Sequence, residues 1–168
     1  MDIHSLDRFI EAQERMYAVA LEEIKSGLKR SHWMWYIFPQ LRGLGTSSMA
    51  HVYGIAGLDE ARAYLSHPVL SARLIEISEA LLMLKKKNPE DIFGHTDAMK
   101  LRSSMTLFAL VSDDGSVFHE VLGRFYNGSM DERTWELIKS QLSDDEQIDF
   151  AAKCILKKYR KAFEKLAK

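Results

Sequence analysis

The sequence predicts an all-α fold, a single compact domain of seven or more short-to-medium helices, and three observations predict it. Apolar residues recur at three- and four-residue spacing along almost the whole chain, as on a helix with one buried face, and the alternating pattern of a half-buried strand is almost absent. The periodic stretches are joined by short connections, with no linker and no internal repeat. The length of 168 residues, with 46% hydrophobic and 28% charged residues, suits one globular domain able to bury a core.

Taken in order, Leu6, Phe9, Ile10, Met16, Tyr17, Ala20, Leu21 and Ile24 line one face of a first helix. Ser5 is its expected cap and Gly27 its expected end. A second helix is expected from Ser31 as cap to Phe38, because Pro39 cannot continue it. Gly43, Gly45 and Thr46 form a turn before a short helix from Ser47 to Tyr53, closed by Gly54. A helix from Leu58 to Ser66 follows. Pro68 then opens another, with Val69, Leu70, Leu74, Ile77, Leu81 and Leu84 on its buried face. Asn88-Pro89 breaks the chain, and Pro89 to Phe93 makes a single turn ending at Gly94. Thr96 or Asp97 caps the next helix, which runs to about Val111 and buries Leu101, Met105 and Phe108. Asp113-Asp114-Gly115 is a turn, Ser116 opens a helix through Phe125, and Asn127-Gly128 ends it. Asp131 caps a helix carrying Trp135 and Ile138. A long amphipathic helix, from Asp144 to about 167, forms an extension after the rest of the domain.

Several classes of function are disfavoured. The formal net charge of −1 argues against a nucleic-acid partner. The basic clusters Lys85-Lys86-Lys87 and Lys157 to Lys168 read as solvated helix ends, where cations suit the helix dipole. The lone Cys154 excludes an internal disulfide and, set in an apolar run, reads as a buried structural residue. The first residues lack the pattern of a signal peptide and no apolar run reaches membrane-spanning length, so no membrane partner and a cytoplasmic location are expected. The six histidines are scattered without metal-ligand spacing, so no metal is expected. No cofactor motif is present either: Gly43-Leu44-Gly45 follows a helix and lacks a phosphate-loop lysine, and no nucleophile elbow occurs.

Two segments concentrate the candidate site residues. Ser31 to Gly45 packs Trp33, Trp35, Tyr36 and Phe38 beside His32, Gln40 and Arg42, as the centre of a core or the wall of a pocket. His32 is either a first-turn residue bonded to a neighbouring helix or a site residue. The loop with Gln40, Arg42 and two glycines suits function and structure equally. From Ile92 to Phe108, Asp97, Lys100, Ser103 and Ser104 share one side of a helix, a small polar face that suits a nucleotide site or an ordinary helix contact. Gln13, an amide on the apolar stripe of the first helix, must be hydrogen-bonded by its neighbours or by a ligand.

The blocks His32-Trp33-Met34-Trp35-Tyr36-Ile37-Phe38-Pro39-Gln40, Gly43-Leu44-Gly45, His67-Pro68-Val69-Leu70, Ile92-Phe93-Gly94 and Lys100 to Phe108 resemble the domain of unknown function family 1810, over about residues 6–142. The resemblance implies an all-helical domain and no particular chemistry. Some members carry the label calpastatin-like, yet an inhibitor of that kind is disordered and poor in aromatics, the opposite of this chain. Phe9 to Tyr17 and Ile92 to Phe108 are also similar to paired segments of the group related to the riboflavin-pathway N-glycosidase, which processes NAD and ADP-ribose. Glu11 and Glu14, the acids beside Gln13, point to solvent by periodicity and do not supply that group's catalytic acid.

The expectation is therefore a pocket for a nucleotide-derived small molecule between the two segments. Trp35 or Tyr36 would stack a base, Arg42 and Lys100 would hold phosphate, and Gln13, Gln40, Ser103 and Ser104 would supply further polar contacts. His32 or Asp97 would move a proton. The alternative is a non-catalytic helical module whose partner is another protein.

Overall fold

The structure, a computed structural model, describes residues 5–153 and residue 166. It is all-α: α1 Asp7–Ser26, α2 Met34–Ile37, α3 Ser48–Tyr53, α4 Leu58–Ser66, α5 Pro68–Leu82, α6 Glu90–Leu110, α7 Val117–Tyr126 and α8 Glu132–Gln141. Helical backbone resumes from 144 to 153. The rest of the helix expected to 167, with Cys154, lies outside the described residues. Long helices pack side by side in the spatial order α1, α5, α7, α6, while α4 lies against α5 and α6, and α8 against α6. Short α2 bridges α1 and α3.

Most boundaries follow local chemistry. Gly27 ends α1 in the left-handed conformation, φ 83°, and donates its N–H to carbonyls one turn back. Ser47, Ser116 and Asp131 cap α3, α7 and α8 by accepting a backbone N–H. Asn127 closes α7 with a left-handed φ of 55°. At α5 the cap is His67, whose Nδ1 accepts from Val69 and Leu70 N–H while Pro68 fills the first helical position.

Four expectations need correction. Ser5 does not cap α1; Leu6 occupies the cap position and no side chain bonds there. The second helix starts at Met34 and not after Ser31, because Glu23 of α1 captures the backbone of Arg30 and Ser31. Neither Thr96 nor Asp97 caps a helix: α6 runs through a break at Gly94 (φ 77°, ψ 172°), a conformation open to glycine, and Asp97 turns instead to lysines. Val69 on α5 faces solvent, whereas Ser78 occupies the buried stripe.

Between α2 and α4 the chain closes a small loop. Ile55 donates its N–H to Gln40 and accepts from Arg42 N–H, a parallel bridge that joins the two ends of the segment carrying α3. The carbonyls at the end of α3 are covered by two arginines. Arg8 donates to Val52 and Gly54, Arg42 donates to His51 and Gly54, and Arg8 also pairs with the buried Glu60 at 2.6 Å. Gly54 is where these chains meet: a Cβ there would lie 2.7 Å from both the Ala50 carbonyl oxygen and the Arg42 Cβ. Gly54→Ala is therefore expected to lower stability by about 1–3 kcal/mol through overpacking. Urea unfolding checks this, and an unchanged midpoint would disprove the close approach.

Candidate functional site

The aromatic block is held from below by a carboxylate. Glu23, on the inner side of α1 and 8% exposed, accepts the N–H groups of Arg30 (2.6 Å) and Ser31 (2.7 Å), the Ser31 hydroxyl (2.6 Å) and the Trp33 indole N–H (3.1 Å). Burial alone would raise its pKa, but these donors outweigh burial and draw it down to about 2. With its backbone so fixed, Trp33 enters the core edge-on to Phe93 (6.4 Å, 77°) and beside Phe38 (6.2 Å). Trp35, two residues on, is left half-buried at the surface.

Glu23 has its folded pKa below its ordinary value of 4.5, so its contribution is complete above that pH and is lost as the pH falls toward 2. The shift corresponds to about 3 kcal/mol. Acid unfolding of the chain should show this loss between pH 4.5 and 2, and Glu23→Gln should flatten the slope there while lowering stability at neutral pH. An unaltered acid limb in the variant would refute the assignment.

Above this base lies a recess. Its wall comes from α2 and the turn after it (Met34, Trp35, Phe38, Gln40), from α3 and its end (Ala50, Tyr53, Gly54), and from Lys100 of α6. Free space in it is about 10 Å³, room for about one water molecule. At the mouth, the Lys100 ammonium sits 4.9 Å from the Trp35 ring centre and 3.4 Å from an Asp97 carboxylate oxygen. The other Asp97 oxygen pairs with Lys29 at 2.8 Å. Lys29 in turn lies 5.0 Å from the Trp33 ring and donates to the Ser31 carbonyl. One carboxylate thus holds two ammonium groups, each against an indole.

Of the residues expected at a site, Trp35, Gln40 and Lys100 meet at this recess, with Asp97 beside Lys100. The others are elsewhere or otherwise engaged. Gln13 is a saturated core amide: its nitrogen donates to the Tyr36 carbonyl (2.8 Å) and the Tyr64 hydroxyl (2.9 Å), and its oxygen accepts from Arg73. Tyr36 is buried with its ring 5.2 Å from Tyr53, and burial foremost, then Tyr53, pushes its phenol up. Arg42 spends two of its nitrogens on the end of α3. Ser103 back-bonds to the Met99 carbonyl. Ser104 is fully buried, and its hydroxyl is the one buried side-chain oxygen without a hydrogen-bond partner among the described residues. His32 is exposed and outside the recess wall. Among the described residues no group of three or more His, Cys, Asp or Glu could hold a metal ion, and no helix is long and apolar enough to cross a membrane.

Tyr53, Lys29 and Glu23 were missed at the sequence level. For Glu23 a signal existed, since it lies on the buried stripe of α1 beside Ala20 and Ile24, the same anomaly that singles out Gln13. Lys29 and Tyr53 carry no such local mark.

The profile of the family described as "Protein of unknown function (DUF1810)" matches residues 3–138. The chain belongs to this family. Among solved structures, it is similar to the crystal structure of the conserved hypothetical protein Rv1873 from Mycobacterium tuberculosis, with 46% identity and a TM-score of 0.79. That likeness covers 82% of this chain and 98% of the other. No curated protein matches the chain.

The Gln13 bonds also make a stability statement. Gln13→Leu would leave the Tyr64 hydroxyl of α4 and the Tyr36 carbonyl of α2 short of a partner where they meet α1, an expected loss of about 1–3 kcal/mol. Chemical denaturation measures it, and a variant as stable as the parent would contradict the burial of that network.

Proposed function

We propose that this DUF1810 domain binds a small, nucleotide-derived molecule at the Trp35–Lys100 recess. The observation that carries the reading is the meeting there of an indole face (Trp35), an amide (Gln40) and an ammonium (Lys100) from two segments about sixty residues apart in the chain. An aromatic face takes a base or a similar flat ring, the amide pairs with its edge, and the cation takes an anionic group. About 10 Å³ admits no such ring. Entry therefore requires Lys100 to leave the indole and Trp35 to swing outward. Both are half-exposed side chains at the mouth, while Met34 and Phe38 below them are buried. Asp97 holds Lys100 in an ion pair until an anionic group competes for it. Proton transfer by Asp97 forms no part of the proposal, since both its oxygens already face lysines.

The second reading, a non-catalytic helical module for a protein partner, draws on the small volume of the recess and on the bonded state of Gln13 and Arg42.

Melting the purified protein against NAD, ADP-ribose, purine nucleotides, flavin precursors and sugar phosphates separates the two. A ligand at one hundred times its dissociation constant adds about 2.7 kcal/mol, which raises the melting temperature of a domain this size by roughly 5–10 °C. The expected result is a rise with one nucleotide class that Lys100→Ala and Trp35→Ala each abolish while the variants stay folded. A flat panel, or a rise that survives both substitutions, would overturn the proposed site.

A further inference from the structure

Beside the recess lies a second, more deeply buried cation, Lys29. It follows the end of α1, its side chain is 8% exposed, and its ammonium sits over the Trp33 ring. A lysine so far out of water needs a carboxylate partner. That partner is Asp97, at 2.8 Å, and the same carboxylate also serves Lys100 at 3.4 Å. By contrast, Lys25 with Glu22, Arg62 with Asp59 and Lys139 with Glu136 each set one cation against one acid.

Two positive charges therefore share one negative charge. The remaining contacts of the lysines are uncharged: Lys29 donates to the Ser31 carbonyl, and each ammonium lies against an indole. Glu23, the acid that holds the next two residues, is occupied by the N–H groups of Arg30, Ser31 and Trp33. Among the described residues it forms no ion pair with either lysine. One positive charge is left over. Asp97 and Lys100 are 20% and 22% exposed, so the shared carboxylate stands where the mouth of the recess meets solvent.

We propose that Lys29 and Lys100 together form a phosphate seat, that the Asp97 carboxylate fills this seat in the free protein, and that the seat selects a phosphate bearing two negative charges. The assignment rests on the Trp35–Lys100 recess being the site of a nucleotide-derived molecule. Three arguments support it. The first is space. The recess holds only about 10 Å³, too little for an anion, whereas exchange with the Asp97 carboxylate at the mouth needs no cavity of its own. The second is charge. A terminal phosphate carries about −1.5 to −2 at pH 7 and offers three acceptor oxygens, enough to serve both ammonium groups. A carboxylate or a phosphodiester carries one charge, as Asp97 does, and gains nothing by replacing it. The third is position. Lys100 lies 4.9 Å from the Trp35 ring centre, so a flat ring on that indole has its phosphate within reach of the pair.

Titration calorimetry of the full chain with adenosine, 3′,5′-cyclic AMP, AMP and inorganic phosphate tests this. The first three probes share a base and carry no charge, one charge and about two. AMP should bind at least about tenfold more tightly than cyclic AMP, equivalent to about 1.4 kcal/mol. Lys29→Met keeps an unbranched side chain beside Trp33 and leaves Asp97 to Lys100. It should lose the preference for AMP while binding adenosine as the parent does. Asp97→Asn empties the seat, so it should bind AMP and inorganic phosphate at least about tenfold more tightly than the parent. Its melting temperature, lowered by the missing carboxylate, should recover as phosphate is added. Should Asp97→Asn fail to fold, the Lys29→Met comparison decides alone. A parent that holds AMP no better than cyclic AMP would overturn the seat, as would a Lys29→Met variant that keeps the preference. Adenosine binding that Trp35→Ala abolishes, with lysines blind to charge, would remove the seat and leave the recess reading intact. Phosphate binding that needs Lys29 but is indifferent to Trp35→Ala would keep the seat and overturn the nucleotide reading. No binding of any probe, by the parent or by Asp97→Asn, would overturn both.

Discussion

The Glu23 carboxylate is the constraint on which the aromatic half of the molecule depends. It is an acid on the inner side of α1, and it persists there because four donors from one short segment converge on it. The bonds fix the chain from Arg30 to Trp33 before any helix begins. Trp33 is thereby committed to the core among Phe38 and Phe93, α2 is delayed to Met34, and Trp35 is left at the surface.

A second set of charged contacts positions the opposite wall. Arg8, from α1, and Arg42, from the turn after α2, reach the same Gly54 carbonyl at the end of α3. The last carbonyls of a short helix have no partners of their own, and here cations from two other elements provide them. With the bridge between Leu41 and Ile55, these bonds hold Tyr53 and Gly54 against Phe38 and Gln40 and so define the recess. Among the described residues the charges of Glu23 and Glu60, both buried, and of the half-buried Asp97 are architectural: each organises a connection between elements and bonds to backbone or to lysine and arginine.

In the candidate region, the residue types brought together are legible in the sequence, and the partners each residue bonds to are not. Trp35 and Gln40, from the aromatic-rich segment, and Lys100, from α6, meet at one recess. Gln13 and Arg42 were legible as polar groups in unusual settings, but whether such a group is open or satisfied depends on carbonyls from Tyr36, His51 and Gly54 that no spacing rule identifies. Glu23 shows the reverse failure, since the apolar stripe that singled out Gln13 contains it too. A carboxylate on such a stripe reads as a helix-edge residue unless its donors are known.

By itself the sequence determined the all-helical class and most helix ends, because these rest on local physics: periodic burial, caps with a hydroxyl or carboxylate oxygen, and the φ preferences of Gly, Asn and Pro, and its motif blocks carry the resemblance to the family. The tertiary structure alone decided which charged groups meet, how far α2 is shortened, and how little open space the aromatic recess keeps. Those outcomes come from contacts between residues distant in the chain, such as Arg8 with Glu60 and Lys29 with Asp97. Their strength depends on burial and on the number of converging donors, and both exist only once the helices have packed.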